Sequence, residues 1–105
     1  MLVLELDPRN WAANYSTSVA YYNKGAYDLQ KLENIESIPD IYQIQSESIR
    51  SIEIALPFMY KAYEIDPDQI DAVKGLKWIY FNLHKFDESE QMEQKEKSLQ
   101  GDGGR

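Results

Sequence analysis

The sequence predicts an all-α fold built from antiparallel helical hairpins, with about four helices of which the first two are unusually long. Three observations carry this. Apolar residues recur three and four positions apart almost everywhere, which is the spacing of one face of a helix. No stretch alternates in the two-residue rhythm of a half-buried strand. Helix-start signatures recur along the chain at Ser37-Ile-Pro-Asp40, at Asp66-Pro-Asp-Gln69 and at Asp87 with Glu90.

The first helix is expected from about Asn10 toward Ser37, with Val19, Tyr22, Leu29, Leu32, Ile35 and Ile38 on one stripe. Gly25 falls inside it; glycine costs roughly 1 kcal/mol there relative to alanine, and the spacing still favours continuity over a turn. Ser37 to Asp40 ends this helix and opens the next, with Ser37 as cap and Pro39 in the first turn, so the hairpin tip belongs there. Ile41, Ile44, Ile52, Leu56, Met59 and Tyr63 form the second stripe, set to lie against the first helix. Pro57 removes the hydrogen bond to the Glu53 carbonyl and is expected to kink this helix without ending it. Asp66 is expected to cap a third helix from about Pro67 to Leu83, and Asp87 a fourth from about Glu88 to Leu99. Gly101-Asp-Gly-Gly-Arg105 reads as a flexible tail.

At 105 residues the chain has the size of one domain and can bury a core without staples. Eighteen acidic residues against eleven basic ones give a formal charge of -7. That charge repels phosphate backbones, so nucleic acid and anionic membrane surfaces are poor partners. With no cysteine, neither a disulfide framework nor a thiolate metal site is available. The longest apolar run, Ile54 to Tyr60, is too short to cross a bilayer, and Met1 starts no basic-then-apolar leader. No membrane insertion is expected.

The most specific signal is internal repetition: Leu-Asp-Pro at Leu6 to Pro8 returns as Ile-Asp-Pro at Ile65 to Pro67. From Pro67 onward, Val73, Leu76, Tyr80 and Phe86 resemble the apolar, leucine, tyrosine and post-turn aromatic slots of the tetratricopeptide repeat, whose period is about 34 residues. Lys77, His84, Ser89 and Glu93 depart from that pattern at the packing glycine, the turn glycine, the small alanine and the later aromatic. The preceding unit, from Pro8 to Pro67, spans 59 residues and exceeds the period by 25. Its ends match, through Tyr21, Gly25 and Tyr27 on one side and Ala55, Ala62 and Asp66-Pro67 on the other. The excess therefore lies between them and would lengthen each of two antiparallel helices by roughly 18 Å.

The resemblance implies a TPR-like α-α superhelix divided as a remnant of a preceding repeat at 1–8, one helical domain at 9–100, and the tail at 101–105. Within the domain, 9–66 is the enlarged repeat and 67–100 the second. Tyr21-Tyr-Asn-Lys-Gly25 with Ala55-Leu-Pro57 and Tyr60-Lys-Ala62 also resembles a bacterial group of exported repeat proteins, which implies a periplasmic or otherwise exported location; the cytoplasm stays open as the alternative. Leu2 to Leu6 looks like the last turn of a preceding helix. Apolar surface at Leu2, Leu4 and Leu6 would then favour self-association. The polar fourth helix, with Met92 and Leu99 as its large apolar residues, suits the capping end of an array.

Candidate chemistry is sparse. His84 is the single histidine and has no ligand cluster or cysteine near it in sequence, so it reads as a turn residue rather than a catalytic base. Asp87, Glu88, Glu90 and Glu93 read as a solvated helix start, where carboxylates are favoured, rather than as a cation site. The glycines at 101–104 lack the lysine, the hydroxyl residue and the following helix of a phosphate loop. No enzyme activity and no cofactor are expected.

In the family that the sequence resembles, the first helix of each repeat lines a concave surface. The matching positions are Tyr15, Val19, Tyr22 and Asn23, then Lys74, Trp78, Phe81 and Asn82. Aromatic rings with polar neighbours suit a polypeptide groove, because a ring supplies large contact area at little entropy cost. An aromatic stripe at helical spacing also fits a core, and for Trp78 and Phe81 both readings stay open at this point. The family's clamp for chaperone tails is not expected, since Tyr15, Val19 and Gly75 stand at its basic and asparagine slots. The expectation is a protein-protein interaction scaffold taking a protein or peptide partner, with an architectural or self-associating module as the alternative.

Overall fold

The computed structural model describes residues 7–103, and among them every regular element is helical. Four α-helices follow in order: α1 (Trp11–Gln30), α2 (Ile38–Ile65), α3 (Ile70–Asn82) and α4 (Phe86–Gly103), with a 3-10 turn at Lys31–Asn34 after α1. The extents of 50 × 35 × 19 Å describe a slab two helices thick, since one helix with its side chains is about 10 Å across. Leu2, Leu4 and Leu6, with the self-association expected of them, lie outside the described residues.

α1 starts where Asn10 leaves the helical region, its side-chain oxygen accepting from the Ala13 amide at 2.8 Å. Asn14 explains why a polar residue can fill an inward slot. Its side-chain amide donates to the carbonyls of Pro8 and Asn10 at 2.9 Å each, so the group is satisfied at 3% exposure. The helix runs unbroken through Gly25 but stops at Gln30, short of the expected end near Ser37. There the Lys31 amide bonds to the carbonyls of Asp28 and Leu29, the winding tightens to three residues per turn, and Ile35 is already extended.

Ser37 caps α2 in backbone conformation without a side-chain hydrogen bond, and Pro39 occupies the first turn, where its missing amide costs nothing. The hairpin tip thus falls before Pro39 as expected, although α1 reaches it through the 3-10 turn and residues 35–37 rather than as continuous helix. α2 continues through Pro57 for 28 residues.

Two sequence-predicted helix starts need correction. Asp66 does not cap α3: it closes α2, its amide bonding to the Ala62 carbonyl, and its carboxylate accepts from the Asp68 amide at 3.3 Å. That local turn displaces the start of α3 from Pro67 to Ile70, with Gln69 as cap. α4 begins at Phe86 rather than Glu88, because the Lys85 carbonyl already accepts the Ser89 amide at 3.0 Å. It ends at Gly103 rather than Leu99, so 101–103 are helical rather than a loose tail.

The link between α3 and α4 is a left-handed cap of the Schellman type. The His84 amide bonds to the Phe81 carbonyl at 3.0 Å and the Lys85 amide to the Tyr80 carbonyl at 2.8 Å, with His84 at a φ of 60°. Histidine here stands where glycine is ordinarily favoured.

The α1–α2 hairpin is closed by small residues. The Ser18 hydroxyl donates to the Ala55 carbonyl and the Ser48 hydroxyl to the Gly25 carbonyl, each at 2.7 Å and fully buried. As one helix advances by seven the other retreats by seven, which is an antiparallel register. The face that α1 buries is Asn14, Thr17, Ser18, Gly25 and Asp28. The expected stripe lies beside it, with Val19 and Tyr22 half-buried and Leu29 exposed. Large apolar contributions come instead from the core of Ile52, Ala55, Met59, Ala62, Ala72, Leu76 and Ile79, where α2 meets α3. α4 is tied to α3 by polar contacts: the Ser89 hydroxyl donates to the Lys77 carbonyl at 2.9 Å, and the Lys77 ammonium reaches the Glu96 carboxylate at 2.6 Å.

Candidate functional site

α1 and α3 both pack on α2 and leave a groove between them whose floor is the Met59 side chain. One wall is Tyr15, Val19, Tyr22 and Asn23, residues that share a face of α1 by their spacing of three and four. The other is Asp71, Lys74, Gly75 and Trp78, spaced likewise on α3. The groove encloses about 320 Å³. Gly75 matters to its depth, since the Met59 thioether lies where a Cβ would project.

Six of the eight sequence-predicted positions therefore line one groove. Asn82 stands at its end, donating from its side-chain amide to the Tyr22 hydroxyl at 3.0 Å and to the Trp78 carbonyl at 2.8 Å, so it fixes Tyr22 without lining the space. Phe81 turns away. The Schellman turn brings Phe86 back alongside it, ring centroids 5.5 Å apart, and Phe81 lines a different cavity. Trp78 is 50% exposed and Phe81 49%, which removes both from the core. The Lys77 ammonium lies 4.8 Å from the Trp78 ring centroid and the Phe81 ring meets it edge-on, so its orientation is set from two sides.

The polar end of the groove is Asp71 and Lys74, which close no ion pair among the described residues. Burial, with the Asp71 carboxylate second, pushes the Tyr15 hydroxyl above its ordinary range, so it stays protonated and able to donate. The Tyr15 ring is stacked on Trp11 at 4.8 Å. The indole nitrogen of Trp11 is buried and has no hydrogen-bond partner among the described residues.

Asp71, Met59, Gly75 and Ile79 also line the groove, although none of them is among the eight sequence-predicted site positions. A glycine inside an amphipathic helix is a signal of close approach and could have found Gly75. Among the described residues, no group of three or more His, Asp or Glu is placed to hold a metal ion, and no helix is long and apolar enough to cross a membrane. His84 stacks on Phe86 in the turn.

No family model, curated protein or solved structure matches this chain.

Proposed function

We propose that the protein is an interaction module that holds a segment of a partner polypeptide in the groove between α1 and α3, and that its two hairpins are repeats of the tetratricopeptide type. The observation that carries the reading is Trp78: a large ring, half exposed, held in orientation by Lys77 and Phe81 at the edge of a groove with aromatic walls. A rigid aromatic surface of that kind gives contact area at low entropy cost. Asn23, Asp71 and Lys74 add donors and acceptors for a backbone or for charged side chains. The repeat reading is supported by the paired Leu6-Asp-Pro8 and Ile65-Asp-Pro67 and by the hairpin that precedes and follows the second of them.

The test is Trp78→Ala, with partners recovered by affinity purification from the native cell and thermal melting run in parallel. Recovery should fall by at least about thirtyfold in affinity, equivalent to about 2 kcal/mol, while the fold persists. A folded variant that recovers every partner unchanged refutes the groove.

A further inference from the structure

α2 carries a second apolar stripe that the rest of the chain covers only in part. Ile52, Leu56 and Met59 alternate at four and three residues, the heptad spacing of a helix-packing seam, and they are buried or half-buried where α3 lies on α2. The same spacing continues backward through Ile49, Gln45, Tyr42 and Ile38. α3 ends at Asn82, and beyond it the stripe is bare: Ile49 is 48% exposed, Tyr42 67% and Ile38 65%. Phe81 and Phe86 face its inner end across a cavity of about 580 Å³, which also takes in Leu29. This cavity shares no lining residue with the α1–α3 groove.

Continuity fixes the shape of the occupant. What seats on the covered half is a helix, so the stripe is already cut to helical ridges. From Ile38 to Ile49 it offers about 16 Å, enough for three turns. Charge selects the source. Residues 31–53, the distal end of the hairpin, hold five acidic residues against two basic ones, and the whole chain carries -7. Within the cavity Glu53 and Lys85 balance, so the acidic excess belongs to the hairpin end, at Glu33, Glu36, Asp40 and Glu47. A second copy would bring two acidic tips together, which the charge opposes.

We infer that the uncovered half of the α2 stripe, with Phe81 and Phe86, is the seat for one amphipathic helix of a different protein, apolar at heptad spacing and flanked by lysine or arginine.

The probe is a synthetic helical peptide of about five turns, with leucine at heptad seam positions and lysine on the flanks, titrated into the full isotope-labelled chain. A second peptide replaces the lysines by glutamates. The lysine peptide should shift the amide signals of Gln45, Ile49 and Phe86, and the glutamate peptide should bind at least about tenfold more weakly. Ile49→Asp should weaken the lysine peptide by at least about tenfold, although it adds a negative charge that would strengthen attraction of a merely electrostatic kind. Tyr42→Ser, at a still more exposed position, should act in the same direction and guards against misfolding of the first variant. Signals that move only around Tyr22 and Trp78 would overturn the inference. So would an Ile49→Asp chain that binds as well as or better than the parent, or a parent dimer in sedimentation that Ile49→Asp dissolves.

Discussion

The Ser48 hydroxyl donates to the Gly25 carbonyl over 2.7 Å, at a point where a Cβ on Gly25 would stand 2.9 Å from Ser48's own carbonyl oxygen and 2.7 Å from Ile52 Cγ1. The carbonyl belongs to α2's backbone and cannot swing aside. Gly25→Ala should therefore destabilise the protein despite the gain of about 1 kcal/mol in helix propensity, with a net loss of about 1 to 2 kcal/mol. Chemical denaturation measures it, and an unchanged midpoint would show that the helices separate freely.

Gly75 offers the contrasting case. A Cβ there meets the thioether end of Met59, a flexible side chain that can move to another rotamer. Gly75→Ala is expected to leave stability unchanged or raise it by up to about 1 kcal/mol, by the same denaturation measurement. Because Met59 forms the groove floor, its displacement should also make the groove shallower and weaken the partner bound there.

His84 holds a φ of 60° that an L side chain adopts at a cost of about 1 to 2 kcal/mol and glycine adopts freely. Its ring recovers part of this by stacking on Phe86 at 5.6 Å. His84→Gly should raise the melting temperature, with a gain of about 0.5 to 1 kcal/mol. His84→Ala keeps the Cβ and loses the stack, so it should lower it; equal effects of the two variants would exclude backbone conformation as the cause.

Asp28 is held below the ordinary carboxylate range by hydrogen bonds from Lys24 and Lys31, at 3.1 and 3.2 Å. A folded-state value below the unfolded one gives stability that is present above the unfolded range and disappears as pH falls through the folded value. The advantage of the parent over Asp28→Asn should accordingly shrink as the pH drops below about 4, and added salt should reduce it at neutral pH. Urea midpoints measured across that window check both; a difference that grows on acidification contradicts the assignment.

The helical class, the long hairpin and its tip at Pro39 were legible because apolar spacing and proline positions report directly on local backbone geometry. The inward face of α1 was not. Val19, Tyr22 and Leu29 make the more conspicuous stripe, yet Ser18 and Gly25 face α2, because a small residue packs by letting backbones approach and a serine satisfies itself on a carbonyl. Hydrophobicity carries no trace of either. Asp66 misled for a related reason, since a side chain that can cap a helix can equally close a turn, and only the backbone that follows decides between them. Around the groove, helical spacing places Tyr15, Val19 and Tyr22 on one face of α1 and Lys74 and Trp78 on one face of α3, and it was the resemblance that set the two faces together, while Phe81 depended on where the chain goes after His84.

The serine bonds also constrain how this hairpin can vary in length. They sit seven residues apart on each helix, at Ser18 and Gly25 and at Ala55 and Ser48, which is close to two whole turns. Deleting a single residue between the two marks would rotate the distal part of that helix by about 100° and turn Gly25 or Ser48 out of the contact. Residues gained or lost at the 3-10 turn and the link to Ser37 disturb neither mark. Descendants of this chain are thus free to lengthen or shorten at the apex, and an insertion closer to the base is tolerated only as a whole heptad matched in both arms.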